Sequence, residues 1–168
     1  MTRHHQNQRG GVVLEAALVL PAMLLLLWGV VSFGGIFYTQ IALTRAAEDG
    51  ATAANLLRAN FSEGSELPSE DAERIKDEII NSLSASPIAP KEHNGTIDAR
   101  RAWLTDVRNN IQLQTGGDCN GTTCLRIRIV FPYDNESGTR ILPSISMPLI
   151  GDMNWLPDTL VGEASVLL

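Results

Sequence analysis

Polar and apolar positions divide the chain unevenly. A short polar start gives way at "RGGVVLEAALVLP" (residues 9–21) to a long apolar run, and no charged residue occurs from Ala16 to Thr44. A bilayer core of about 30 Å needs about 20 mostly apolar residues in helical form, so this run predicts one membrane-spanning helix over about residues 12–37. Pro21 removes one backbone hydrogen bond inside it and predicts a bend. Gly29, Gly34 and Gly35 offer places where another helix can approach closely. From Ile41 the text "IALTRAAEDGATAANLLRANF" keeps a helical rhythm. It predicts a stripe of Ile41, Ala42, Ala46, Ala53, Leu56 and Leu57, with Arg45, Glu48 and Asp49 opposite and the helix continuing to about Asn60.

Gly64 and Pro68 interrupt that helix in "SEGSELPSE" (residues 62–70), and Ser69 is placed to cap a second one. Ile75, Ile79, Ile80 and Leu83 then share a face of a helix over residues 70–84, whose acidic first turn suits the helix dipole. Pro87, Pro90 and Gly95 mark a loop, and a short helix around residues 98–108 carries Trp103, Leu104 and Val107 inward. After residue 109 the period changes to two. "NIQLQT" (residues 110–115) and "CLRIRIVFPY" (residues 124–133) read as antiparallel strands around a "GGDCNGTTC" hairpin loop, with Leu125, Ile127 and Ile129 on one face and Arg126 and Arg128 on the other. "PLIGDMNWLP" reads as an irregular loop before a last strand, "TLVGEASVLL". The predicted fold class is α+β: a long N-terminal helix, membrane span plus continuation, packed on a small antiparallel sheet with additional short helices. No internal repeat is visible.

Composition sharpens this division. The mean hydropathy of +0.02 averages two unlike parts. Residues 45–168 hold 11 of the 13 Lys and Arg and 18 of the 19 Asp and Glu, a formal charge of −7. That acidity favours solubility, and no basic stripe invites nucleic acid. The flank before the apolar run carries Arg3 and Arg9, so the positive-inside rule keeps the N-terminus cytoplasmic and sends the remainder across the membrane. The apolar run is longer than the core of a cleaved signal peptide, and no cysteine near its end offers a lipoprotein anchor. Three segments follow: a leader over 1–10, the helix over 11–60, and an exported α+β domain over 61–168.

Candidate chemistry is sparse. Cys119 and Cys124 are the only cysteines. A zinc site would need two further ligands, whereas a disulfide in an oxidising compartment would close a very short loop worth roughly 2 kcal/mol at most. No nucleophile elbow, phosphate-binding loop, zinc-binding helix or nucleotide fingerprint occurs, and the three histidines lie in the leader or in a Pro-rich loop. No enzymatic activity and no cofactor are expected. Trp28 and Tyr38 are spaced as an aromatic belt, while Trp103 and Trp155 read as core anchors. Glu15 stands out, because a charge near the membrane is costly and marks function by default. It either snorkels to the cytoplasmic interface or serves assembly. If the chain were cut between Gly10 and Gly11, Glu15 would be the fifth residue of the product, and the new amine, with a pKa of about 7.7 to 8.0, could pair with it across neighbouring helices.

The segment "RGGVVLEAALVLPAMLLLLWGVVSFGGIFYTQIALTRAAEDGATAA" resembles the N-terminus of TadE-like pseudopilins of tight-adherence (Tad, or Flp) pilus systems. The likeness lies in a basic leader ending in Gly10, a Glu five residues on, an apolar helix with the early Pro21, an aromatic boundary and an Ala-rich continuation. The resemblance implies a bacterial inner-membrane protein cut at Gly10–Gly11 by an aspartyl prepilin peptidase on the cytoplasmic side. It also implies assembly with the major Flp pilin and other pseudopilins at an inner-membrane platform, as a minor pilin that enters, initiates or tips the filament. A rival expectation is an uncleaved single-pass anchor for a periplasmic binding module.

Overall fold

The computed structural model describes residues 9–57, 67–119, 122–134, 136–139, 146–147, 151–152 and 157–167. Among these residues three α-helices, α1 (Arg9–Leu57), α2 (Ser69–Ala85) and α3 (Ile97–Asp106), precede five strands: β1 (Ile111–Cys119), β2 (Thr122–Pro132), β3 (Ser146–Met147), β4 (Gly151–Asp152) and β5 (Thr159–Leu167). The fold is α+β, as expected. The leader before Arg9, the predicted end of the first helix at residues 58–60, the break over 62–66 and Trp155 lie outside the described residues.

α1 runs for 49 residues and remains helical through Pro21. At 1.5 Å per residue it is about 74 Å long. Its two halves differ. Gly11–Leu27 is exposed on every side, whereas from Ser32 one face is buried against the domain. The buried line runs Ser32, Gly35, Thr39, Leu43, Ala46, Gly50 and Ala54, at the three- and four-residue spacing that keeps one helical face inward. Ala42 and Ala46 lie inward as predicted, but Ile41 is 64% and Leu56 81% exposed. The inward line is chosen by closeness of approach, which favours small side chains, and not by hydrophobicity.

That closeness is measurable at two glycines. A β-carbon on Gly162 of β5 would stand 2.7 Å from the Leu43 carbonyl carbon and oxygen, and one on Gly50 would stand 2.6 Å from Ile79 Cγ1 of α2. Both helix–sheet and helix–helix contacts of α1 thus need the absence of a side chain. Hydrogen bonds fix the same contacts. Gln40 Nε2 donates to the Val161 carbonyl of β5 at 2.7 Å, and Ser82 Oγ of α2 donates to Asp49 Oδ2 at 2.5 Å.

β1, β2 and β5 form one antiparallel sheet in that order, and β3 pairs with β4 apart from it. Leu125, Ile127, Ile129 and Phe131 of β2 face α1 and are buried, with Leu160, Gly162, Ala164 and Val166 of β5 as their cross-strand partners. The other face carries Gln112, Gln114, Arg126 and Arg128, and Arg128 Nε lies 3.2 Å from Glu163 Oε1 of the neighbouring strand. The hairpin is tighter than the predicted loop, since Cys119 pairs with Thr122 and Gly117 with Cys124. Those pairs bracket Asn120-Gly121, a sequence that favours two-residue turns. Within the irregular loop expected over residues 148–157, Gly151–Asp152 pairs with Ser146–Met147 just before it.

Helix ends follow local rules with one correction. Thr96 Oγ1 caps α3 by accepting from Ala99 N at 3.1 Å. Ser69 does not cap α2; Pro68 holds that position without a side-chain bond, and Ser69 is the first helical residue. The fixed φ of proline sets the entry to the helix before any serine cap is needed. Ile75, Ile79, Ile80 and Leu83 are buried together as the periodicity requires. Arg108 ties α2 to the start of the sheet, with Nη1 2.6 Å from Asp77 Oδ1 and Nη2 2.7 Å from Glu73 Oε2. Trp103 meets Phe131 edge to face, with ring centroids 5.8 Å apart. Cys124 is fully buried and disulfide-bonded.

The two glycines give unequal expectations. Gly162→Ala drives a methyl into main-chain atoms that cannot rotate away, and should cost about 1–3 kcal/mol or more. Gly50→Ala meets the movable end of Ile79, and should cost less. Thermal unfolding of the full chain in detergent, followed by near-ultraviolet circular dichroism, ranks the two variants.

Candidate assembly site on the N-terminal helix

Arg9, Gly10, Gly11 and Val12 open α1. Glu15 follows Gly11 by four residues, about one turn or 6 Å along the axis. Both Gly11 and Glu15 are exposed, and nothing lies within 4 Å of the place a Gly11 side chain would take. Glu15 forms no ion pair or hydrogen bond with any described residue. Its surroundings are Val12, Val13, Leu14, Leu18 and Val19, all large, apolar and exposed.

Pro21 lies six residues beyond Glu15, exposed like the rest of this half of the helix. Its ring nitrogen cannot donate to the Ala17 carbonyl, which is therefore left without its usual helical partner. Gly10, Gly11, Glu15 and Pro21 thus share one end of one helix, far along the axis from the packed domain. The structure brings none of Gly11, Glu15 and Pro21 against the core.

The most apolar stretch of α1 has a mean hydropathy of 2.3, and its length and composition suit a membrane span. Cys124 lies elsewhere, at the hairpin end of β2, and the sequence contains one other cysteine, Cys119. Among the aromatic residues, Tyr38 is exposed and Trp28 half-buried, as befits the level where apolar helix gives way to domain.

Hydrophobicity does not announce the small residues that let the domain close on α1, namely Ser32, Thr39, Gly50 and Gly162. Their signal was present in the spacing Gly35, Thr39, Leu43, Ala46, Gly50 and Ala54. It was outweighed by the larger hydrophobicity of Ile41 and Leu56.

No curated protein and no solved structure matches the chain. A family model does match, over residues 10–52, and its description is TadE-like protein. The matched stretch holds the Gly10–Gly11 junction, Glu15, Pro21, the exposed apolar half of α1 and the start of its buried half. Over that segment, about a quarter of its length, the chain is similar to TadE-like proteins, a family of the Tad pilus system.

Proposed function

We propose that the chain is a minor pilin of a Tad (Flp) pilus. It inserts in the inner membrane with residues 1–10 cytoplasmic and residues 61–168 on the periplasmic side. The prepilin peptidase cuts it between Gly10 and Gly11, and it then joins the major Flp pilin and other pseudopilins at the inner-membrane platform, entering, initiating or tipping the filament. Its role is structural and not enzymatic. One observation carries this reading: the family match covers the exposed apolar half of α1, in which Glu15 is the single charged side chain between Gly11 and Thr44.

The physical account turns on charge in a medium of low dielectric. Cutting before Gly11 creates an amine that is largely cationic near neutral pH. An ammonium and a carboxylate withdrawn from water stabilise each other only in close pairing, and one turn of separation within a helix suits pairing between neighbouring helices. Such a pair fixes axial register. The arginines of the leader favour a cytoplasmic start, and a disulfide at Cys124 accords with an oxidising compartment for the domain.

Three outcomes are expected. Coexpression with a prepilin peptidase should yield a chain whose mass spectrum begins at Gly11, and Gly10→Phe should block the cut; an intact Met1 in membranes or pili contradicts the proposal. A reporter active only outside the cytoplasm should work when fused after Leu168, with Cys119 and Cys124 resisting alkylation until reduced. Glu15→Gln should be cut and inserted yet fail to support piliation, since an unpaired buried ammonium costs about 3–5 kcal/mol. Glu15→Asp, one methylene shorter, should be partly impaired. Wild-type piliation with Glu15→Gln would instead make Glu15 a snorkelling interface residue and favour a simple anchor.

A further inference from the structure

Counting about 20 residues from Ala16, the first after Glu15, brings the end of a 30 Å hydrocarbon core to about Gly35. Tyr38 and Thr39 follow within about 6 Å along the axis, which is the depth of the headgroup layer. The domain already packs against α1 at this level, because Ser32, Gly35 and Thr39 are buried. No linker lifts it away from the membrane surface.

At this level a cleft of about 300 Å³ opens beside α1, lined among the described residues by Tyr38 and Thr39 of the helix, Lys91 and Asn94 of the loop after α2, and Gly138 and Thr139 of the turn after β2. Its walls are held in place independently of any ligand. Arg100 Nε donates to the Ser84 carbonyl at 2.7 Å and its Nη1 to the Asn94 carbonyl at 3.0 Å, while Asn94 Nδ2 donates to the Pro87 carbonyl at 3.2 Å. On the opposite wall Thr139 Oγ1 donates to the Pro132 carbonyl at 2.8 Å, and Ser137 N donates to Asp134 Oδ1 at 2.6 Å. Gly138 adopts φ +69°, a left-handed conformation that glycine takes at no cost, and so presents no side chain to the cleft.

Two donors at the cleft are uncommitted, and one acceptor, the buried Asn94 Oδ1, is likewise without a partner among the described residues. The exposed Lys91 ammonium and the Tyr38 hydroxyl make no ion pair or hydrogen bond with a described residue, and Glu92, the nearest carboxylate in sequence, does not line the cleft. A phosphodiester offers what this pair can use: a single negative charge for the ammonium and oxygens that accept from a phenol. Tyrosine at the headgroup level keeps its ring among apolar groups and its hydroxyl in the polar layer.

We propose that this cleft takes the headgroup of an anionic membrane phospholipid, with its phosphate on Lys91 and Tyr38 and its acyl chains running down the apolar face of α1. The acidic domain is repelled from an anionic surface at long range, but screening confines that repulsion to about 8–10 Å. A bound lipid at Lys91 therefore orients the domain on the membrane, with the loop carrying Lys91 turned toward it. The proposal rests on α1 as a membrane anchor, and on neither cleavage nor assembly.

The full, uncut chain is placed in nanodiscs of phosphatidylcholine containing phosphatidylglycerol that carries a photoreactive headgroup, and cross-linked peptides are mapped by mass spectrometry. Cross-links should concentrate on residues 87–94 and 136–139. Lys91→Glu should lower their yield at least fivefold, Lys91→Arg should retain it, and excess inorganic phosphate in the buffer should leave it unchanged. Equal yield with Lys91→Glu, loss of yield with free phosphate, or cross-links confined to the side of Phe37 and Ile41 would overturn the site. Failure of the chain to enter nanodiscs would overturn the anchor beneath it, and is read separately from the incorporated protein by size-exclusion chromatography.

Discussion

A line of small side chains along one face of α1 sets the distance at which everything else packs. Where Leu43 crosses β5, the main chain of helix and strand come so close that only glycine fits at residue 162. About two turns further on, Gly50 lets Ile79 of α2 settle against the helix. Both contacts use the same helical face, so sheet and second helix share α1 as a common support. Burial of Ile75, Ile79, Leu125 and Ile127 follows from that shared approach. Each of these aliphatic chains, if fully removed from water, is worth about 1.5–3 kcal/mol, whereas the alanines beneath them contribute mainly by being small.

The same constraint explains why some of the fold could be read from sequence and some could not. Alternation in "CLRIRIV" predicts both faces of β2 because a strand has a period of two and its two faces meet opposite solvents. The isoleucines of α2 were equally plain, since a short helix on a core needs one apolar stripe. α1 is different. Its first half is meant for a medium where every side may be apolar, and its second half uses apolar residues on both faces, so hydrophobicity cannot tell inside from outside. Ile41 and Leu56 were therefore placed inward, and the structure turns them outward. Pairing up to Cys119 and Thr122 was hidden for another reason: glycine-rich text reads as loop, although the strands pair that far. Gly10, Gly11, Glu15 and Pro21 stood out in sequence because each breaks a rule of its surroundings. The cleft at Lys91 did not, because its walls come from three distant segments joined only by folding.

The two faces of α1 change character at different heights. On the inner face the domain begins at Ser32. On the outer face Phe33, Phe37 and Ile41 remain exposed, and the first charge is Arg45. Over roughly 13 Å, therefore, protein covers one side of the helix while an apolar surface lies bare on the other. In the membrane that bare side can meet acyl chains without penalty. In water it is unfavourable by about 25 cal/mol for each Å² exposed. A subunit leaving the bilayer, as the proposed role requires, must cover this side at once, and the neighbour that does so lies opposite the domain. In the proposed role the domain would then face outward, while the bare side and Glu15, on the same helix, would face the filament interior. A simple anchor has no need of that division, because its helix never leaves lipid.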